Sequence, residues 1–149
     1  MAALRLASLG DISALVDLEA TFPGDRLSRR SFRHLLTKGN AEVWVLENEG
    51  VQADAVVLYR RGSQRARLYS LVVHPEARGR GLGAQLLAAV ETAAMERGCK
   101  EMRLELREDN GAALSLYQSH GYTVTGRSEG YYDDGSACLH MHKLIFTAT

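Results

Sequence analysis

Leu71 to Leu87 read LVVHPEARGRGLGAQLL: an apolar strand that ends at Val73-His74-Pro75, a run of arginine and glycine, and the opening turns of an apolar-periodic helix. A glycine-lined helix start leaves several backbone N–H groups unpaired and pointing one way. With the positive end of the helix dipole, those groups bind anions. Gly79, Gly81 and Gly83, with Leu82 between them, let a pyrophosphate approach the amides and supply φ above zero where a tight turn needs it. Arg78 and Arg80 add positive charge that forks onto phosphate oxygens. A plain Arg/Gly turn would read the same over six residues, so the flanking elements carry the inference.

Downstream, Leu82, Leu86, Leu87, Val90, Ala93 and Ala94 fall on one stripe, and Arg97-Gly98 closes a helix over 82–97. Met102 to Leu106 alternates as a strand does, and Asp109-Asn110-Gly111 caps a helix that ends at His120-Gly121. Two strands follow, Tyr122 to Arg127 and Ala137 to Phe146, joined through Asp133-Asp134-Gly135. Upstream, Leu4 to Ala7 reads as a strand, a helix starts at Gly10-Asp11 with Ile12, Leu15, Val16 and Leu18 on one face, and Pro23-Gly24 breaks it. A second helix spans Ser28 to Thr37 with Phe32, Leu35 and Leu36 inward; strands follow over Ala41–Leu46, Val51–Tyr59 and Ala66–Val73. The order predicts an α+β fold with helices on the faces of a mixed sheet, in one domain over residues 1–149.

Lys plus Arg equals Asp plus Glu at 18 each, which gives no global field of the kind that marks a nucleic-acid or membrane binder. MAALRLASLG is too short and too quickly interrupted for a signal peptide, and no apolar run approaches a membrane-spanning length. The expectation is a soluble, cytoplasmic chain. Cys99 and Cys138 lack metal spacing and suit a reducing compartment.

Three separated motifs in this order resemble the GNAT superfamily of acyl-CoA-dependent N-acetyltransferases. In LYSLVVHPEARGRGLGAQLL, Arg78-x-x-Gly81-x-Gly83 is similar to the family's pyrophosphate loop, and Leu71-Val72-Val73 to the strand whose backbone pairs with the pantetheine arm. In LELREDNGAALSLYQSHGY, Asn110 and Tyr117 fall on the family's Asn-x-x-Ala-x-x-x-Tyr-x-x-x-Gly-Phe/Tyr pattern. GYYDDGSACLHMHK is similar to the closing hairpin of the branch that acetylates protein N-termini, including the ribosomal-protein alanine acetyltransferases. The resemblance implies a mostly antiparallel seven-stranded sheet splayed in the middle, acetyl-CoA as acyl donor, no metal, and a monomer or homodimer.

The chemistry needs a neutral amine. At pH 7 an α-amine of pKa 7.7 to 8.0 is roughly 10 to 20% neutral, a lysine side chain only about 0.04%. The resemblance places Tyr117 as the general acid that protonates the leaving thiolate, and Glu105 as the base, usually acting through water. Asn110 combines a helix cap with a coenzyme contact. The backbone near Val73 resembles the donor that holds the oxyanion. Tyr131 and Tyr132 correspond to residues that contact the acceptor's first residues, although Ser136-Ala137-Cys138 stands where that branch commonly carries carboxylates. A protein or peptide N-terminus is therefore the first acceptor. A small polycationic amine drawn by Glu129, Asp133 and Asp134 is the second, and a non-catalytic acyl-CoA-binding domain is the alternative of another class. Arg26, Arg29, Arg30 and Arg33 form a basic helix stripe, Arg60, Arg61, Arg65 and Arg67 a charged hairpin tip, and His140 and His142 share one strand face without a third metal ligand.

Overall fold

The computed structural model describes residues 2–21 and 27–145. The break expected at Pro23-Gly24, Arg26 of the basic stripe and the Phe146 end of the last strand lie outside the described residues.

Seven strands, β1 (Ala3–Leu6), β2 (Ala41–Glu47), β3 (Val51–Tyr59), β4 (Arg65–Val73), β5 (Glu101–Arg107), β6 (Thr123–Ser128) and β7 (Cys138–Leu144), form one sheet in the order β1-β2-β3-β4-β5-β7-β6. Every neighbouring pair is antiparallel except β4 and β5. A parallel pair needs a crossover, and helix α3 (Leu82–Glu96) supplies it. The remaining helices are α1 (Ile12–Glu19), α2 (Arg29–Thr37, capped by the Ser28 hydroxyl) and α4 (Gly111–Ser119, capped by Asn110).

Helices cover both faces, which explains why β3 is buried at five successive positions instead of alternating. On one face Ile12, Leu15 and Phe32 pack on Val43, Val45 and Val56. On the other, Leu86, Leu87, Val90 and Ala94 of the predicted α3 stripe meet Ala53, Ala55, Val57, Leu68 and Leu104. Each fully buried leucine stabilises the fold by about 1.5–3 kcal/mol.

The feature that positions the site is a parting of strands. β4 and β5 pair only from Arg65–Glu101 to Leu68–Leu104. Val57 lies opposite Leu68 and Val56 opposite Ser70, so Tyr69 is the extra residue of a bulge in β4. A bulge bends its strand and sharpens the twist. Beyond it, Ser70–Val73 swing away from Glu105–Arg107 and leave a gap through the middle of the sheet.

Candidate active site

The gap opens to both faces. On the α3/α4 side, a cleft of about 690 Å³ is lined by Leu71, Val73, Arg78, Gly83, Asn110 and Leu116, among others. On the opposite side, a cavity of about 260 Å³ includes Glu19, Arg67, Glu105, Tyr117, Tyr131 and Tyr132. Leu71, Arg107, Asn110 and Ala113 line both, so the two are halves of one passage.

The coenzyme half is built from the Arg/Gly turn. Gly79 (φ 81°) and Gly81 (φ 75°) adopt the left-handed conformation that side-chain-bearing residues avoid. Gly81 is the N-cap of α3, and the first intrahelical bond runs from Gln85 N–H to Gly81 C=O, which leaves the Leu82, Gly83 and Ala84 amides at the helix mouth. A Cβ on Gly83 would stand 3.5 Å from Leu116 Cδ2, in ordinary van der Waals contact across the cleft that both residues line. Arg78 Nε donates to the Val73 carbonyl at 3.4 Å, pinning the turn to the end of β4, and Arg80 is exposed. Leu71 and Val73 face the cleft, whereas the Val72 side chain is buried toward α1 and has only its backbone to offer. Free amides, positive charge and an unpaired strand edge fit a pyrophosphate followed by an amide-bearing arm.

Tyr117 lies near the junction, 7% exposed, with its ring edge-to-face on Tyr122 at 5.6 Å. Tyr122 in turn donates to Glu91, which also holds Lys143. Burial pushes the Tyr117 hydroxyl up, which keeps it protonated at neutral pH and able to donate. Asn110 Oδ1 accepts from Ala113 N–H at 3.1 Å, so its cap is formed, and its amide nitrogen remains available to the passage it lines.

Glu105 lies on the other side of the sheet, where Arg67 Nε contacts its Oε1 at 2.7 Å and His140 Nδ1 approaches its Oε2 at 3.6 Å. Arg67, expected at a hairpin tip, instead turns into the cleft; Arg65 pairs with Glu101. Tyr131 and Tyr132 stack edge-to-face at 4.9 Å, and Arg107 covers Tyr132 at 4.2 Å while pairing with Asp134. His140 and His142 take separate partners: His140 meets Ser128 at 2.7 Å, and His142 meets Glu101 at 2.7 Å. Cys99 and Cys138 are buried, unpaired thiols that burial pushes up, unlike reactive cysteines.

Arg67, Arg107 and Glu19 line the cleft without belonging to any of the motifs, and Asp54 is fully buried beside Glu19. Two carry a sequence signal: Glu19 falls on the apolar stripe Ile12-Leu15-Glu19, and Asp54 interrupts the apolar strand VQADAVVLY.

Comparison with known proteins gives the same result along the whole length. Residues 8–145 match the family described as Acetyltransferase (GNAT) domain. The chain is 30% identical over 142 residues to a candidate ribosomal protein bS18-alanine N-acetyltransferase of Bacillus subtilis, covering 94% of this chain and 93% of that one. It superimposes on the ribosomal-protein-S18-alanine N-acetyltransferase of Escherichia coli with a TM-score of 0.88 at 25% identity, over 100% of this chain and 97% of that chain. A candidate acetyltransferase of Salmonella typhimurium, solved with its cofactor acetyl-CoA, shares the fold at a TM-score of 0.84 and 20% identity, over 100% and 96%. With the strand parting, the amide cradle and the matched length in agreement, the chain belongs to the GNAT acetyltransferase family and is an acetyl-CoA-dependent enzyme that acetylates an amine.

Proposed function

We propose that this enzyme acetylates the α-amine at the N-terminus of a protein or peptide, with Glu105 as base and Tyr117 as acid. The observation that carries the reading is the two-sided passage. An acyl donor bound along β4 from the α3 side meets an acceptor that enters from the opposite face, between Glu105 and the Tyr131-Tyr132 pair. The likeness to ribosomal-protein alanine acetyltransferases supports the same acceptor class.

Transfer is direct. A neutral amine attacks the thioester carbon, and the oxyanion that forms is held by backbone N–H near Val73. Glu105 takes a proton from the attacking nitrogen, and Tyr117 gives one to the departing sulfur. Neither cysteine takes part.

Of the acidic residues that would draw a polycationic amine, Asp134 is paired with Arg107 and Glu129 with Arg127. Those pairs weaken the small-polyamine reading. The test is thiol release from acetyl-CoA against peptides with free or blocked N-termini, each carrying a free lysine. Turnover of the free series alone supports the reading, and turnover of the blocked series overturns it.

A further inference from the structure

Moving an acetyl group onto an ammonium removes two protons from nitrogen and returns one to sulfur. The first must leave before nitrogen has a lone pair to attack with. The second leaves as the C–N bond forms, and the coenzyme thiolate takes one back as the C–S bond breaks. Glu105 and Tyr117 account for the second and third transfers, which leaves the first proton to bulk solvent unless a further group in the site takes it.

At the acceptor-side floor of the passage stands a second acidic group. Glu19, the last residue of α1, is 4% exposed and lines the cavity, and the Ser70 hydroxyl donates to its two oxygens at 3.2 and 3.0 Å. Behind it, Asp54 on β3 is 0% exposed, and the Val72 backbone N–H lies near its carboxyl without completing a hydrogen bond to either oxygen. Asp54 faces the Glu19 carboxyl, and two carboxyls make a hydrogen bond only when one of them keeps its proton. Asp54, the more deeply buried of the two and raised further by its neighbour, keeps its proton to the higher pH, so Glu19 is the member that ionises first. Among the described residues no cation bridges either member, whereas Glu105 is held by Arg67.

We propose that Glu19, backed by Asp54, takes the first proton from the acceptor's ammonium group. This rests on the amine-acetylation reading above. The N–H bond breaks, an O–H bond forms on Glu19, and the neutral amine is left in place to attack. After transfer the proton returns to solvent through the acceptor mouth, restoring the singly ionised pair. Burial raises both carboxyls above their ordinary range, and the like charge of Glu19 raises Asp54 further, so the pair holds a proton more readily than a solvated carboxylate does. The other titratable groups on this cavity are Arg67 and Tyr69 from β4, Glu105 and Arg107 from β5, and Tyr117 from α4. Tyr131 and Tyr132 complete it from the segment before β7. Asp54 acts through Glu19 and is a positioning residue.

The experiment compares kcat/KM for wild type, Glu19→Gln, Asp54→Leu and Glu105→Gln at pH 7 and pH 9.5, on an alanine-started peptide and on the same peptide with an aminooxy terminus, whose nitrogen is already neutral. Calorimetric acetyl-CoA binding, unchanged in Glu19→Gln, shows that variant is folded. Glu19→Gln is expected to lose about 6- to 11-fold at pH 7 on the ordinary peptide, the inverse of the α-amine's neutral fraction. The loss closes to below about 2-fold at pH 9.5 and on the aminooxy peptide, and Asp54→Leu follows the same pattern. The Glu105→Gln loss persists under all conditions. A Glu19→Gln loss equal at both pH values, or undiminished on the aminooxy peptide, overturns the assignment. A wild type that acetylates no free α-amine overturns the acceptor reading itself.

Discussion

Arg67 and Glu105 form an ion pair at 2.7 Å across the point where β4 and β5 part. Leu68–Leu104 is the last paired position, so the bridge joins the residue just before the parting on one strand to the residue just after it on the other. Arg67 thereby fixes the carboxylate that we assign as base and braces the apex of the gap in which it works.

Arg67→Ala should lower kcat by about 10-fold while leaving acetyl-CoA affinity within about 2-fold, because the base loses its orientation and the phosphate cradle is elsewhere. Arg67→Lys should recover only part of the loss, since an ammonium does not reproduce the guanidinium's planar contact. Steady-state kinetics beside calorimetry separate the two effects.

Tyr117→Phe keeps the ring's packing on Tyr122 and removes only the hydroxyl. Turnover should fall by about 10²- to 10⁴-fold with little change in coenzyme binding. An unaltered rate would remove Tyr117 from the mechanism.

Gly81→Ala tests the cradle. Nothing crowds a Cβ there, but φ is 75°, so the cost is in the backbone: about 1–2 kcal/mol. Acetyl-CoA should bind about 10-fold more weakly by titration as the helix mouth shifts. Gly39→Ala, in the bend between α2 and β2 where φ is 87°, provides a left-handed control away from the coenzyme half, with a stability loss and no coenzyme phenotype.

Asp54 should make the protein's stability depend on pH. Burial, with Glu19 adding to it, holds its folded-state pKa well above the ordinary 3.8. A group with a raised folded-state pKa contributes its stabilisation fully below the unfolded value and loses it as pH rises through the folded value. Wild type should thus lose stability as pH climbs from about 4 toward neutrality, and Asp54→Asn, which has no proton to release, should lose less. Differential scanning calorimetry of both from pH 4 to 8 should show the Tm gap widening in favour of the variant.

Sequence by itself determined the elements, and its resemblance to the family supplied the chemistry proposed for them. The α3 stripe, the glycine turn, the Asn110 cap and the alternation of β5 are local patterns of 3.6- and 2-residue period, and each occurs within about two residues of its expected bounds. Tyr117 and Glu105 were singled out by resemblance to family motifs, while the helix and the strand that carry them were legible from the Asn110 cap and from alternation. Only the tertiary structure decided how those elements open and what meets across them. The bulge at Tyr69 arises from register between β3 and β4, and nothing in RARLYSLVV announces which residue will be extra. Arg67 looked like one of several arginines at a hairpin end until strand parting turned it onto Glu105. Glu19 and Asp54 each broke an apolar pattern, yet their meeting depends on α1 packing over β3 and β4 across 35 and 51 residues of chain. Periodicity is set by neighbours along the backbone; pairings at such separations are set by which faces pack and by how far a sheet bends.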